Sequence, residues 1–358
     1  MGSTNKGLVT GTSSKKGEFV RAASSARSIL DTEEFPWQEN RYCLYIADAC
    51  GWAHRVHSTL HLLNIQSYFN IAVVHPTWAR TKEQDDTDQH HGWCFANKDE
   101  VVIPPALKDA EHANTAETYK RVSWRNDHVD KYSGLNARYL RDIYEAGGSA
   151  GNVFSTPMIY DPVTGKVVNN ESGDICEMLN DIAHKYYGKD QDIPQLYPAD
   201  QISDIEALNE WMYPMLNNGV YRCGFAKTQE AYDMAAKDLK TAMCRLEEIL
   251  KEKHERGETF LCGNVLTIAD VRAFTHLIRL DEIYVVWFKI PFASLLLYPN
   301  IFSYTARLLA IPAFQLTTNV EDMRLHCFTS HKIMNPLAIV PASSGVFELL
   351  LKQSSRIF

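Results

Sequence analysis

The sequence has no apolar run approaching the roughly 18 residues that a membrane-spanning helix needs; its longest candidate, 283–297, is broken by Lys289 and Pro291, so no membrane partner is expected. It also lacks an excess of positive charge. With 36 Lys and Arg against 44 Asp and Glu the formal net charge is -8, which argues against nucleic acid or an anionic membrane as the main partner. Paired cysteines are missing too. The eight at positions 43, 50, 94, 176, 223, 244, 262 and 327 show neither a two-cysteine redox spacing nor a zinc pattern, which points to free thiols in a reducing compartment. Histidines 54, 57 and 61 share one helical face, yet no carboxylate or cysteine completes them at ligand spacing, so no metal is expected.

What is there is an ordinary globular composition, 45% hydrophobic and 22% charged over 358 residues, enough for two cores plus extensions. Tyr42, Leu44 and Ile46 belong to a β-rich apolar run, and Trp52, Val56, Leu60 and Leu63 recur at helical spacing. Cys50 therefore stands where a strand runs into a helix. Unpaired backbone N–H groups and the positive end of the helix dipole favour thiolate over thiol at such a place. A two-cysteine motif would put its partner at position 53, which is Ala53. The site is monothiol, and a mixed disulfide formed on Cys50 needs an external thiol to resolve it. On this local pattern alone, a buried and inert cysteine is the rival reading.

Further along, Asn70 to Val74 reads as a short buried strand, giving a parallel β-α-β start. From 77 to 136 the pattern dissolves into polar residues, too long for an ordinary connection and so a functional insertion. A helix at 137–144 follows, then a proline-entered strand at 156–160, a return strand at 166–169, and a helix opening at Glu171-Ser172 with acids in its first turns. That order is thioredoxin-like. Helical periodicity then takes over, at 202–216, at 229–253 and from Thr267, whose spacing to Asp270 predicts a capping box. The expected division is an N-terminal extension (1–36), a thioredoxin-like domain (37–188) with the insertion at about 77–136, an all-helical domain (189–325), and a draped tail without regular period (326–358).

Cys50-Gly51-Trp52-Ala53-His54-Arg55 resembles the Cys-Pro-Trp-Ala-His-Arg signature of the Xi-class, omega-like glutathione transferases, the glutathionyl-hydroquinone reductases. Gly17-Glu18-Phe19-Val20-Arg21, His91-Gly92-Trp93, Asn169-Asn170-Glu171-Ser172, Asn217-Asn218-Gly219-Val220-Tyr221, Gly224-Phe225-Ala226 and Ser330-His331 resemble other words of that family, over about 17 to 341. The resemblance implies an α/β thioredoxin-like half followed by an all-α half. It also implies glutathione as co-substrate, with its sulfur at Cys50, its backbone at Thr156 before a cis Pro157, its γ-glutamyl carboxylate at Glu171 and Ser172, and Trp93 in contact. Without the family, Ser172 reads as a plain cap and Trp93 as a core aromatic. The second substrate, an aromatic glutathione conjugate, is assigned to Tyr213, with Tyr221 and Tyr284 as neighbours. The implied reaction reduces a glutathionyl-hydroquinone through a Cys50–glutathione mixed disulfide in a cytoplasmic homodimer. A thiol transferase acting on dehydroascorbate or small disulfides, and a non-catalytic binding scaffold, stay open as alternatives. Because Gly17–Arg21 belongs to the family words, the Ser-, Lys- and Arg-rich start loses most of its support as a transit sequence.

Four departures stand out. Gly51 replaces the family's proline. Asp48 lies close to the sulfur in sequence and would oppose its ionisation if aimed at it. Asn152-Val153-Phe154-Ser155 lacks the usual Gly-Arg pair, leaving Arg125, Lys131 or Arg138 to supply a cation. Cys327 stands where a tyrosine is usual, bringing a second thiol towards the substrate site, either to resolve a disulfide or to pack.

Overall fold

The computed structural model describes residues 11–97, 100–107, 128–148, 153–189 and 193–357. A hairpin of β1 (Gly11–Ser13) and β2 (Phe19–Arg21) leads into β3 (Cys43–Ile46), α1 (Gly51–Leu62) and β4 (Asn70–Val73). The inserted stretch forms a small pair, β5 (Ala79–Arg80) with β6 (His91–Gly92); α2 (Leu140–Ala146), β7 (Met158–Asp161), β8 (Lys166–Asn169) and α3 (Ser172–Ile182) complete this half. The central sheet has the order β4-β3-β7-β8. β3 pairs parallel with β4 (Cys43 opposite Asn70), which demands a crossover, supplied by α1. It pairs antiparallel with β7 (Leu44 opposite Ile159), and β7 pairs antiparallel with β8. The thioredoxin-like order expected from the sequence is the one observed.

Every residue of β3 is buried, and the strand's alternation divides it between two layers. Leu44 and Ile46 face a core that runs through Ala53, Val56 and Leu60 of α1 into the helical half, whereas Cys43 and Tyr45 face Trp78, Trp93 and Ile143. The helical half comprises α4 (Ile202–Met212), α5 (Gly219–Gly224), α6 (Gln229–Glu255), α7 (Ile268–Leu277), α8 (Pro299–Leu309), α9 (Pro312–Thr317), α10 (Val320–Ser330) and α11 (Val346–Ser354). The expected apolar stripe of α6 is buried at Leu239, Met243, Leu246 and Leu250.

Two expectations are corrected. The boundary at 326 cuts through α10, and the stretch beyond it folds back as α11 against α8. The sequence hid α10 because polar Asp322, His326, Thr329 and Ser330 are buried alongside Met323, Leu325 and Phe328, so no apolar face stands out. The N-terminal hairpin likewise docks: Lys227 N–H donates to the Gly17 carbonyl at 2.8 Å, and the Phe19 ring lies 5.5 Å from Phe225. Residues 1–10, which include the start considered as a targeting signal, and 108–127 of the insertion lie outside the described residues. Among the described residues no helix is long and apolar enough to cross a membrane.

Candidate functional site

Cys50 precedes the first turn of α1 with an extended backbone, φ -81° and ψ 122°. Its N–H donates to the Ala47 carbonyl at 2.9 Å, and its carbonyl accepts from the His54 N–H at 2.8 Å, so the strand-to-helix turn is closed on both sides. No acid occupies the first turn of α1, leaving the positive dipole end unopposed there. The Asp48 carboxylate is turned instead to His57 Nδ1 (3.6 Å) and Asn319 Nδ2 (3.5 Å). The Cys50 thiol donates to the Thr156 carbonyl at 3.5 Å, and the Thr156–Pro157 bond is cis, as the sequence implied.

In front of Cys50 opens a cleft enclosing about 910 Å³, open solvent included. Trp52, Trp78, Trp93, Phe154, Thr156, Tyr221, Phe225, Tyr284 and Trp287 line it, with Arg21, His90, His91, His326, Cys327 and His331. No carboxylate is among the described lining residues. Part of the insertion is thus in the wall, at His90 to Trp93.

Trp93 is buried and stacks on His326 at 4.4 Å and 23°. Burial pushes His326 down to about 4, so the ring is neutral, and its Nδ1–H donates to the Pro76 carbonyl at 2.8 Å. The Tyr221 and Tyr284 hydroxyls lie 3.1 Å apart. Burial pushes the Tyr221 phenol up to about 12 and raises Tyr284 well above its ordinary value, so both stay protonated at neutral pH. Cys327 is buried and free, and burial raises its thiol, which favours packing over attack.

The other expected residues stand apart from the lining. Glu171 caps α3, accepting from Gly173 N–H at 3.3 Å and from Ser24 Oγ at 2.7 Å; Ser172, the first helical residue, is buried and accepts from Arg55 Nη1 at 3.5 Å. Tyr213 is 39% exposed on a π-helical turn, touching Trp52 at 5.9 Å from outside the cleft, so its assignment beside Tyr221 and Tyr284 does not hold as a wall residue. Arg138 is engaged by Glu100 and donates to the Phe95 carbonyl at 2.6 Å, and Lys131 is exposed, whereas Arg125 and Asn152 lie outside the described residues. His54 is spent on structure: Nδ1 accepts from Arg279 Nη1 at 2.8 Å, leaving Nε2–H for Thr317 Oγ1 at 3.2 Å.

Sequence reasoning gave no role to Arg21, Trp78, Phe225, Trp287, His326 or His331, all of which line the cleft. Arg21 sits 4.8 Å from both the Trp52 and Tyr221 rings. The only signal was that several of these residues fall inside the family words quoted above.

The family model for the glutathione S-transferase C-terminal domain matches residues 229–307. The chain is 33% identical to the glutathione S-transferase omega-like 2 of Schizosaccharomyces pombe, over 93% of this chain and 95% of that protein. It is 30% identical to the glutathionyl-hydroquinone reductase YqjG of Escherichia coli, over 92% of this chain and 90% of that one. Among solved structures, the glutathione-S-transferase Xi from Phanerochaete chrysosporium superposes with a TM-score of 0.77 at 31% identity, covering 94% of this chain and 97% of that one. The Xi glutathione transferase ECM4 from Saccharomyces cerevisiae in complex with glutathione gives 0.76 at 30% identity, covering 91% and 97%. With the lone cysteine, the cis-proline and the aromatic cleft in the same fold, the chain belongs to the Xi-class, omega-like glutathione transferases, the family of the glutathionyl-hydroquinone reductases.

Proposed function

We propose that the protein is a glutathione-dependent thiol oxidoreductase that reduces glutathionyl-hydroquinones, with Cys50 as the nucleophile. The observation that carries this reading is a single thiol at the start of α1, facing the Thr156 carbonyl and an aromatic cleft with no carboxylate among its described lining residues. The Cys50 thiolate attacks the sulfur of the conjugate, and a Cys50–glutathione disulfide forms as the carbon–sulfur bond breaks. The bonding pair goes to the aromatic carbon, which takes a proton and leaves as the hydroquinone. A second glutathione thiolate then attacks the glutathione sulfur, releasing oxidised glutathione and restoring Cys50.

In this reading the Thr156 backbone pairs with the tripeptide beside Pro157, Glu171 and the Ser172 helix start seat its γ-glutamyl end, and Trp93 flanks it. Tyr221 and Tyr284, held as protonated phenols, hydrogen-bond the quinol oxygens while the rings stack on the substrate. A homodimer and a cytoplasmic setting accompany the reading; light scattering on the purified chain tests the former.

Cys50→Ser is expected to abolish turnover of glutathionyl-quinols and the glutathione adduct on the Cys50 peptide, while leaving the fold intact by circular dichroism. Rates on glutathionyl-quinols, dehydroascorbate and hydroxyethyl disulfide, run side by side, separate this function from a broader thiol transferase. Retained turnover in Cys50→Ser overturns it.

A further inference from the structure

Behind the first turn of α1, beside α3 and α7, lie buried polar atoms that make no hydrogen bond. Arg55 is only 4% exposed. Its Nη1 reaches Ser172 Oγ at a long 3.5 Å, its guanidinium carbon lies 4.9 Å from the Trp52 ring, and its Nε and Nη2 bond nothing. On α7, Arg272 Nη1 is buried and has no hydrogen bond; its ion-pair neighbour, Glu206 Oε1 at 3.7 Å, belongs to a side chain that is 59% exposed. The Tyr197 hydroxyl is buried and unbonded as well. The backbone beside it is anchored to both halves, because Leu196 N–H donates to Asn180 Oδ1 at 3.1 Å and the Leu196 carbonyl accepts from Ile268 N–H at 2.9 Å.

These groups lie on neighbouring segments. The helices of Arg55 and Arg272 pack on each other; one turn beyond Arg272, His276 touches Trp52 at 5.0 Å, so the two rows face. Burial lowers the Arg55 guanidinium first, and the Arg272 charge lowers it further; Tyr197 lies within electrostatic reach of both cations and of Cys176. Three nitrogen donors and one hydroxyl are thus enclosed with no carboxylate hydrogen-bonded to any of them, and Glu171 acts on Arg55 only from a distance. Donors buried in excess, three of them on two like-charged side chains, are costly unless an acceptor of negative charge joins them.

We propose that this seam binds a small monoanion, a halide or carboxylate of chloride or acetate size, held by Arg55, Arg272 and Tyr197 behind Ser172. Since Ser172 Oγ already accepts from Arg55, its own hydrogen is left to donate outward. An anion that fixes Arg55 therefore fixes Ser172. Resting here on the glutathione reading of that serine, anion and glutathione reinforce each other's binding.

The test is thermal unfolding of the full chain in sodium chloride and sodium acetate titrated against sodium gluconate at constant ionic strength. Wild type is expected to gain a saturable rise in Tm with chloride or acetate. Arg272→Met should lose that rise. Tyr197→Phe should weaken it, yet be at least as stable as wild type in gluconate, because an unpaired hydroxyl is gone. Identical Tm values in all three salts, or a full response in Arg272→Met, mean that the seam holds water only and overturn the proposal. A calorimetric titration of glutathione into Cys50→Ser, with and without the effective anion, reads the coupling: a tighter Kd supports it and an unchanged Kd refutes it. The Tm arm needs no glutathione, so it stands or falls independently of the role given to Cys50.

Discussion

Gly51 stands where the signature this chain resembles has proline, and its surroundings still suit one. Cys50 before it is extended, as a residue preceding proline must be, and position 51 is the first helical residue, whose N–H has no intrahelical acceptor. A Cβ built there would lie 3.6 Å from both His276 Nε2 and the Tyr221 hydroxyl, in ordinary contact. Gly51→Pro is therefore expected to fold, to gain about 0.4–1 kcal/mol in chemical denaturation through a less free unfolded chain, and to keep the Cys50–glutathione adduct. Loss of stability would show that the glycine N–H is needed for the turn. At this scale the sequence was readable where chemistry is local: Cys50 at a helix start, Pro157 entering a strand and Glu171-Ser172 opening a helix all declare themselves within a few residues. Arg21, Trp287 and His331 do not, since each reaches the cleft from a distant segment, and no short-range pattern records a wall assembled from both ends of a chain.

At the scale of elements, the start of α7 was expected to be held by Thr267, and the structure gives the larger part to Asp270. Its fully buried carboxylate accepts from Thr267 N–H (2.9 Å) and Oγ1 (3.2 Å), Leu261 N–H (2.9 Å) and the Tyr304 hydroxyl (2.7 Å). Thr267→Ala then removes one donor and should cost about 1 kcal/mol. Asp270→Ala strands several donors at once and should cost roughly 3 kcal/mol or more, measured as a urea midpoint shift. Equal losses from the two substitutions would return the cap to the threonine. The spacing of Thr267 and Asp270 foretold the contact but not the partners from α8 and the 261 turn, because those arrive by tertiary packing. The same limit hid α10: a helix buried on almost every face from Leu325 to Ser330 carries no amphipathic stripe to find.

At the scale of the whole molecule, the two halves are joined by one continuous core through α1, and charge-bearing rings are enclosed in it. Burial holds His75 down to about 3 and His326 down to about 4, from an ordinary 6.5, and lowers His54 and His276 well below that value. Below pH 6.5 the unfolded chain takes up protons that the folded chain refuses, so stability should fall as pH drops from about 6.5 towards 4, by on the order of 3 kcal/mol for His326 at the acid end. Unfolding midpoints across that window check the slope, and His326→Asn should flatten it; a flat profile in wild type would mean that these rings protonate freely. That a thioredoxin-like part is followed by an all-helical part was legible from the change of periodicity, whereas the contact between them was not. Among the described residues, the tryptophans at 52, 78, 93 and 287 stand in the cleft wall. Intrinsic emission from this protein is consequently weighted towards the place where an aromatic guest would stack, and a quinone should quench it saturably, giving a label-free titration that works even on a variant with no turnover.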